Sequence, residues 1–526
     1  MNQNVPTDKI KQPDLVSLFQ KENVSWESIG LHKDRSLNST KGLNIYTGEF
    51  GTSQKKHLLQ RTLIGYSHTS YTQIQNLSLS ACVDMLLSPE KAFDLPINDY
   101  YLDIIDNPDE VKNDVARGAV WVNALEVNQG GARWVSLKSW MLKQFNQQST
   151  SIHWRMVLFY NNLLVSSIQN AGISKNAFYY VNTLFNLSLG NFKELIYQVT
   201  IDPSMLIYLN GNQNNKYAPD ENYAREVMQL FTIGLNELNN DGTNKIGATG
   251  QPIETYTNVD VANLARVFTG YNYDWTNLAR TPSVRFPSQM IAPIESVLRP
   301  MTSDPTKWEW RQTRSQHSML EKRFLGTTIP ANTDAPTSMK LALDTLFNHP
   351  NVGPFFSKQM IQRLVTSNPS AGYVDRVAKI FNNNGSGVRG VLRAVFKAIL
   401  LDDEATNATG LTSPTFGKVR EPVLRFTQWA RNFGATSQSG NWTINNTSNP
   451  SFSLGQSPLR APSVFNFYRP GYVPPNTAIA TNALVAPEFQ IVTEVSVAGY
   501  INFMASAIGS ANGLNNDVKA TYTNEL

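Results

Sequence analysis

At 526 residues, with 41% hydrophobic and 16% charged side chains, the chain is long enough for more than one hydrophobic core and is no disordered polymer. A net charge of +4, with basic residues in short pairs such as Lys55-Lys56 and Lys322-Arg323, argues against a dedicated nucleic-acid binder. Cys82 is the single cysteine, which excludes an internal disulfide and a thiolate metal cluster.

Residues 1–54 are polar, rich in Asn, Ser, Lys and Gly, and read as an extension that wraps the body or stays mobile. No apolar core of signal-peptide length opens the chain and no run of about 18 apolar residues follows, so neither a signal peptide nor a transmembrane segment is expected. From His57 through Leu87, and again over 136–144, 154–164, 177–187 and 192–199, apolar residues recur at three- and four-residue spacing, the amphipathic-helix period.

The stretch Asp220 to Gly234 reads as a complete capped helix. Tyr223, Ala224, Val227, Met228, Leu230 and Phe231 share one arc and Glu221, Arg225 and Gln229 the other. Asp220 serves as N-cap, Gly234 as the stop, and Glu221 and Arg225 stand one turn apart in pairing distance. Glu226 borders the apolar arc, where a carboxylate needs a donor or keeps its proton, and Arg266 is the expected partner.

After this helix, Asn240-Asp241-Gly242 and Thr249-Gly250-Gln251-Pro252 place turns within 235–256, a projecting hairpin. Thr257 with Asp260 three residues on caps the next helix and Gly270 ends it. Helical periods return over 341–347, 355–365, 373–381, 388–401 and 419–432, and Gly434 to Ser453 is a long Ser/Asn/Gly loop. The expected fold is all-α, a large multi-helix globular protein with a short projecting β-hairpin. Its regions are the extension 1–54, a helical body over 55–320, and a C-terminal helical region over 321–526 that packs with the body as one unit.

Several segments carry a resemblance. Asp220-Glu-Asn-Tyr-Ala-Arg-Glu-Val-Met-Gln-Leu-Phe-Thr-Ile-Gly234 resembles the central motif of the large bacterial family catalogued as domain of unknown function 1800. Leu264-Ala-Arg-Val-Phe-Thr-Gly-Tyr271, His317 with Lys322-Arg-Phe-Leu-Gly326, His349-Pro-Asn-Val-Gly-Pro-Phe355, Gln362-Arg-Leu-Val-Thr-Ser-Asn-Pro369, Ala461 to Tyr472 and Ala486 to Ile491 are similar to further family segments, in order. The family brings no established reaction. Many relatives carry a Trp-His-Asn-His-Phe-like segment where this chain reads Tyr160-Asn161-Asn162-Leu163-Leu164, so both histidines are replaced, by Asn161 and Leu163. With Glu226 and His317 those histidines would make a metal constellation; here too few ligands remain, and the reading is a degenerate site with no metal and no cofactor.

His317 has the best claim to function among the histidines, because it lies between Arg314 and Lys322, which can gather an anion. No nucleophile elbow, phosphate-binding loop or dinucleotide turn occurs. The Pro-rich segment with Phe465, Phe467, Tyr468 and Tyr472 is either a binding loop that stacks on sugar rings or a partner protein, or a rigid segment packed over helices. The resemblance implies an extracytoplasmic (periplasmic or secreted) location and a protein partner resembling the alkaline-phosphatase and sulfatase superfamily. The function expected is a binding or assembly component. Its rivals are a hydrolase or lyase on a cell-surface or extracellular polymer, with Glu226 as general acid or base and Arg225, Arg266 and His317 holding an anionic substrate, and a structural subunit of an extracellular filament or matrix; a polysaccharide is a further candidate partner.

Overall fold

The computed structural model describes residues 42–90, 93–99, 117–122, 130–167, 173–277, 281–282, 290–291, 298–444, 446–510 and 513–520. The extension read over 1–54 therefore lies mostly outside the described residues. Helices dominate, as the apolar periods predict, and the described strands form three two-stranded antiparallel sheets. Lys322–Phe324 pairs with Thr327–Ile329, Thr281–Pro282 with Met290–Ile291, and Thr436–Ser437 with Val518–Lys519. No described helix is long and apolar enough to cross a membrane.

The apolar run from His57 to Leu87 is three helices, Thr52–Thr62, His68–Ile74 and Leu79–Leu86. Ser67 and Ser78 each cap a new start, the first accepting from Ser70 N and the second from Ala81 N. Between the first two helices Gly65 passes so close to the Pro422–Asn432 helix that an added Cβ would stand 2.9 Å from Gln428 N. Helix Leu392–Leu401 starts later than its apolar period, because Gly390 at φ +74 turns residues 388–391 into a bridge: Phe192 N donates to Gly390 O at 2.8 Å and Leu392 N to Gly190 O at 2.9 Å. Helix Glu494–Gly509 buries only Ser496, Gly499 and Ala507, so it lacks the apolar stripe that reveals the others.

Helix His153–Leu163 lies at the centre and is buried from Trp154 to its end. Trp154 meets Trp140 at 5.7 Å and Phe185 at 5.0 Å between ring centroids, edge-on or tilted, the arrangement the ring quadrupoles favour. A second aromatic group, Phe192, Phe356 and Phe381, ties Phe192–Thr200 to Val352–Leu364 and Ala371–Asn382. One cluster of buried side chains runs from Leu58 to Val518.

The hairpin within 235–256 is present as a pair of tight turns joined by bridges Asn236 to Glu254, Leu238 to Asn244 and Ile246 to Pro252. It is tied down at its base. Asn351 accepts from Leu238 N at 2.9 Å and donates to Ile233 O and Asn236 O, while Asn240 donates to Asp375 Oδ1 at 2.8 Å.

Candidate functional site

The signature stretch begins as predicted. Asp220 Oδ1 accepts from Asn222 N at 2.8 Å, and Glu221 and Arg225 pair at 3.1 Å. It then departs from the α-helix: Asn222–Glu226 is α, but Val227–Thr232 is a π-helix. Ile233 N and Gly234 N both reach back to Met228 O, at 2.9 and 3.0 Å, and Thr232 Oγ1 donates to Val227 O. The wider turn keeps Val227, Met228, Phe231 and Thr232 buried and brings Gln229 and Leu230 to the wall of a cleft. Gly234 ends the segment at φ +73, where a Cβ would stand 2.8 Å from Phe355.

That cleft has a volume of about 620 Å³ and collects residues from four of the segments that carried the resemblance, those around Gly234, Phe355, Gln362 and Phe465. Asn162 and Leu163 come from the His153–Leu163 helix, the place the resemblance gives to a histidine segment. Gln359, Gln362 and Arg363 share one face of helix Val352–Leu364 at i, i+3 and i+4. Ser367, Asn368 and Pro369 follow, and Val464, Phe465 and Arg469 come from the Pro-aromatic segment.

The lining is held by reciprocal amide bonds. Asn368 donates to Val485 O and accepts from Val485 N, both at 2.9 Å, and Gln362 Nε2 donates to Ser367 O at 3.0 Å. Asn466 donates to Asn162 Oδ1, the Arg363 guanidinium donates to Gln359 Oε1 at 3.2 Å, and the Arg469 guanidinium lies 4.4 Å from the Phe465 ring centroid. Asn162 Nδ2 and Arg363 Nε, both enclosed, remain without a partner among the described groups. Seven amide side chains, two phenylalanines and three cations line the cleft, and no carboxylate or imidazole does among the described lining residues.

Charge gathers beneath this floor. Lys418 pairs with buried Glu488 at 2.6 Å, and Gln456 donates to buried Glu421 at 2.5 Å. Burial, then these two carboxylates, hold the Tyr468 hydroxyl well above its ordinary range, and burial lowers Arg363.

The four residues proposed for catalysis stand elsewhere. Glu226 is half-buried; burial raises its carboxyl, opposed by Arg225, and its Oε2 has no hydrogen-bond partner. No described ion pair joins it to its expected partner Arg266, whose like charge instead bears on Lys322 and, after burial, lowers it. Arg225 is taken by Glu221 at the surface. His317 is buried between the end of helix Asn258–Val267 and helix Ala335–Asn348, with Nδ1 at 3.1 Å from Thr269 O and Nε2 at 3.3 Å from Ser338 Oγ. Gly270 at φ +83 admits the chain there, since a Cβ would stand 2.6 Å from His317 N, and burial lowers the imidazole to about 4.

Of the aromatic loop, Phe465 lines the cleft, Tyr468 is buried beneath it, and Phe467 and Tyr472 are half-buried. Asn161 is buried beside Tyr180, so Asn161, Leu163, Glu226 and His317 do not share one lining, and no group of three or more His, Cys, Asp or Glu gathers among the described residues. The lining amides Asn162, Gln359 and Gln362 escaped sequence reasoning, because Gln is an ordinary helix former; the signal that could have found them is their place inside or beside the family-like segments.

Residues 57–524 match a family described as protein of unknown function, DUF1800. No curated protein and no solved structure matches the chain.

Proposed function

Because the chain belongs to the DUF1800 family, whose description assigns no activity, we propose a function from the cleft itself: a binding component whose cleft takes a saccharide segment of an extracellular polymer. The observation that carries the reading is the convergence of seven amide side chains with Phe355 and Phe465 on one wall. Amides offer donors and acceptors together, which suits a row of hydroxyl groups, and the phenyl faces suit the C–H faces of sugar rings. Arg469, stacked on Phe465, and Lys358 extend the fit to acidic sugars. An extracytoplasmic location and a partner resembling the alkaline-phosphatase and sulfatase superfamily, both implied by the resemblance, complete the proposal.

Calorimetric titration of the purified protein with neutral and uronic-acid oligosaccharides tests the binding. Phe465→Ala and Gln362→Ala are each expected to weaken it at least tenfold, or about 1.4 kcal/mol, with the fold intact. Wild-type protein that binds none of these sugars, or variants that bind like wild type, would overturn it. The hydrolase or lyase reading draws on the raised carboxyl of Glu226 and requires chain shortening that Glu226→Gln abolishes.

A further inference from the structure

A second cavity of about 390 Å³ opens on another face, between helix Thr52–Thr62, the first turn of helix His153–Leu163 and the segment 407–424. Four cations face it, Arg61, Arg155, Lys418 and Arg420, with His57 beside them, and no carboxylate lines it among the described residues. We propose that this cavity is a binding site for the oxyanion of a phosphate or sulfate monoester with a small organic body.

The charge balance supports it first. The carboxylates that bear on Arg155 are Glu421 and Glu488, behind the wall. Lys418 already pairs with Glu488 at 2.6 Å, and buried Arg363 draws on the same two acids. Two carboxylates cannot balance five cations, and uncompensated buried charge is costly. Free donors support it second. Arg155 is buried with Nε and Nη1 unpartnered, and Arg420 Nε is also without a partner, although another nitrogen of Arg420 reaches Ile64 O at 3.0 Å. Guanidinium edges of this kind match the oxygens of a tetrahedral anion.

The cations are also held in place. The Arg155 guanidinium lies 4.6 Å from the Phe159 ring centroid, and Arg61 lies 5.8 Å from that of Phe416. Burial, then the neighbouring Arg420 charge, lower Arg155 to about 9, and burial lowers Arg61 to about 10, the direction a bound anion would reverse. Leu364, Phe416 and Leu424 give the cavity an apolar side, and its volume exceeds what a bare phosphate fills, hence the organic body.

The test is calorimetric titration of the full chain with inorganic phosphate, inorganic sulfate, phenyl phosphate, phenyl sulfate and phenol, with ionic strength matched by sodium chloride. The expected result is saturable binding of the esters, about tenfold tighter than the inorganic ions. Arg61→Gln and Arg420→Gln should each weaken it at least tenfold, while Arg311→Gln, at the exposed surface, leaves it unchanged. No saturable binding of any anion by the wild type, equal binding of phenol, or no loss in either folded variant would overturn the site. Should the glutamine variants fail to fold, the wild type decides by modification: phenyl phosphate is expected to protect Arg61 and Arg420 from phenylglyoxal in peptide mapping, and unprotected arginines would overturn it.

Discussion

At the scale of the residue, Glu226 shows how a helical wheel locates a group without finding its partner. Its place at the edge of the apolar arc predicts partial burial, which it has, but a wheel says nothing of which cation stands opposite, and Arg266, the expected partner, makes no described ion pair with it. The fold instead sets Arg266 within electrostatic reach of Lys322, a like charge, and Glu226 within reach of Tyr208 and Tyr256. A carboxyl whose folded pKa lies above its unfolded value penalises the folded state once the pH exceeds both, and the penalty fades as the pH falls. Glu226→Gln is therefore expected to leave the melting midpoint unchanged or raise it at pH 7, with the gain gone near pH 4. A clear drop at pH 7 would show a stabilising ion pair after all.

At the scale of the element, the π-turn at Val227–Thr232 is what a wheel drawn at 3.6 residues per turn misses. The sequence announces a capping carboxylate at Asp220, the Glu221–Arg225 pair and the stop at Gly234; the pair and the stop form, and Asp220 accepts from Asn222 N although the helix takes Glu221 as its N-cap, while no residue type announces the change of helical pitch between them. The stop depends on glycine twice over, through its left-handed φ and through the Phe355 ring 2.8 Å from any Cβ. Gly234→Ala should cost about 1–3 kcal/mol in urea unfolding. Adding Phe355→Ala to Gly234→Ala separates the two causes: the clash is relieved, the φ cost is not, so the pair should lose less than the sum of the single changes. Strict additivity would mean that the ring is not what glycine makes room for.

At the scale of the molecule, acid stability follows from three imidazoles, one buried and two half-buried. His57, His153 and His317, on separate elements, are each lowered to about 4 by burial, while an unfolded chain titrates them near 6.5. Between those values the unfolded state binds more protons, so stability present above pH 6.5 is lost as the pH falls toward 4. Urea midpoints at pH 7, 5.5 and 4.5 are expected to fall in that order, and His317→Gln to flatten the decline by its one proton. A His317→Gln profile parallel to wild type would mean that this imidazole titrates freely in the folded state.

The sequence by itself determined the helical class, most helix positions, the capping box at Thr257, several turns and the family, because each of these is written in local spacing: an apolar residue every third or fourth position, Thr257 three residues before Asp260, glycine where φ must be positive. Even there, close approaches such as Gly65 against Gln428 were invisible, since they depend on an element more than three hundred residues away. The sites were decided only by tertiary structure. Asn162, Gln359 and Phe465 meet in one cleft, and Arg61, Arg155 and Arg420 in one cavity, because packed helices bring distant side chains together. An amide or an arginine on a helix looks the same in sequence whether it faces solvent or another side chain; its chemistry is set by desolvation and by neighbours that only the fold supplies.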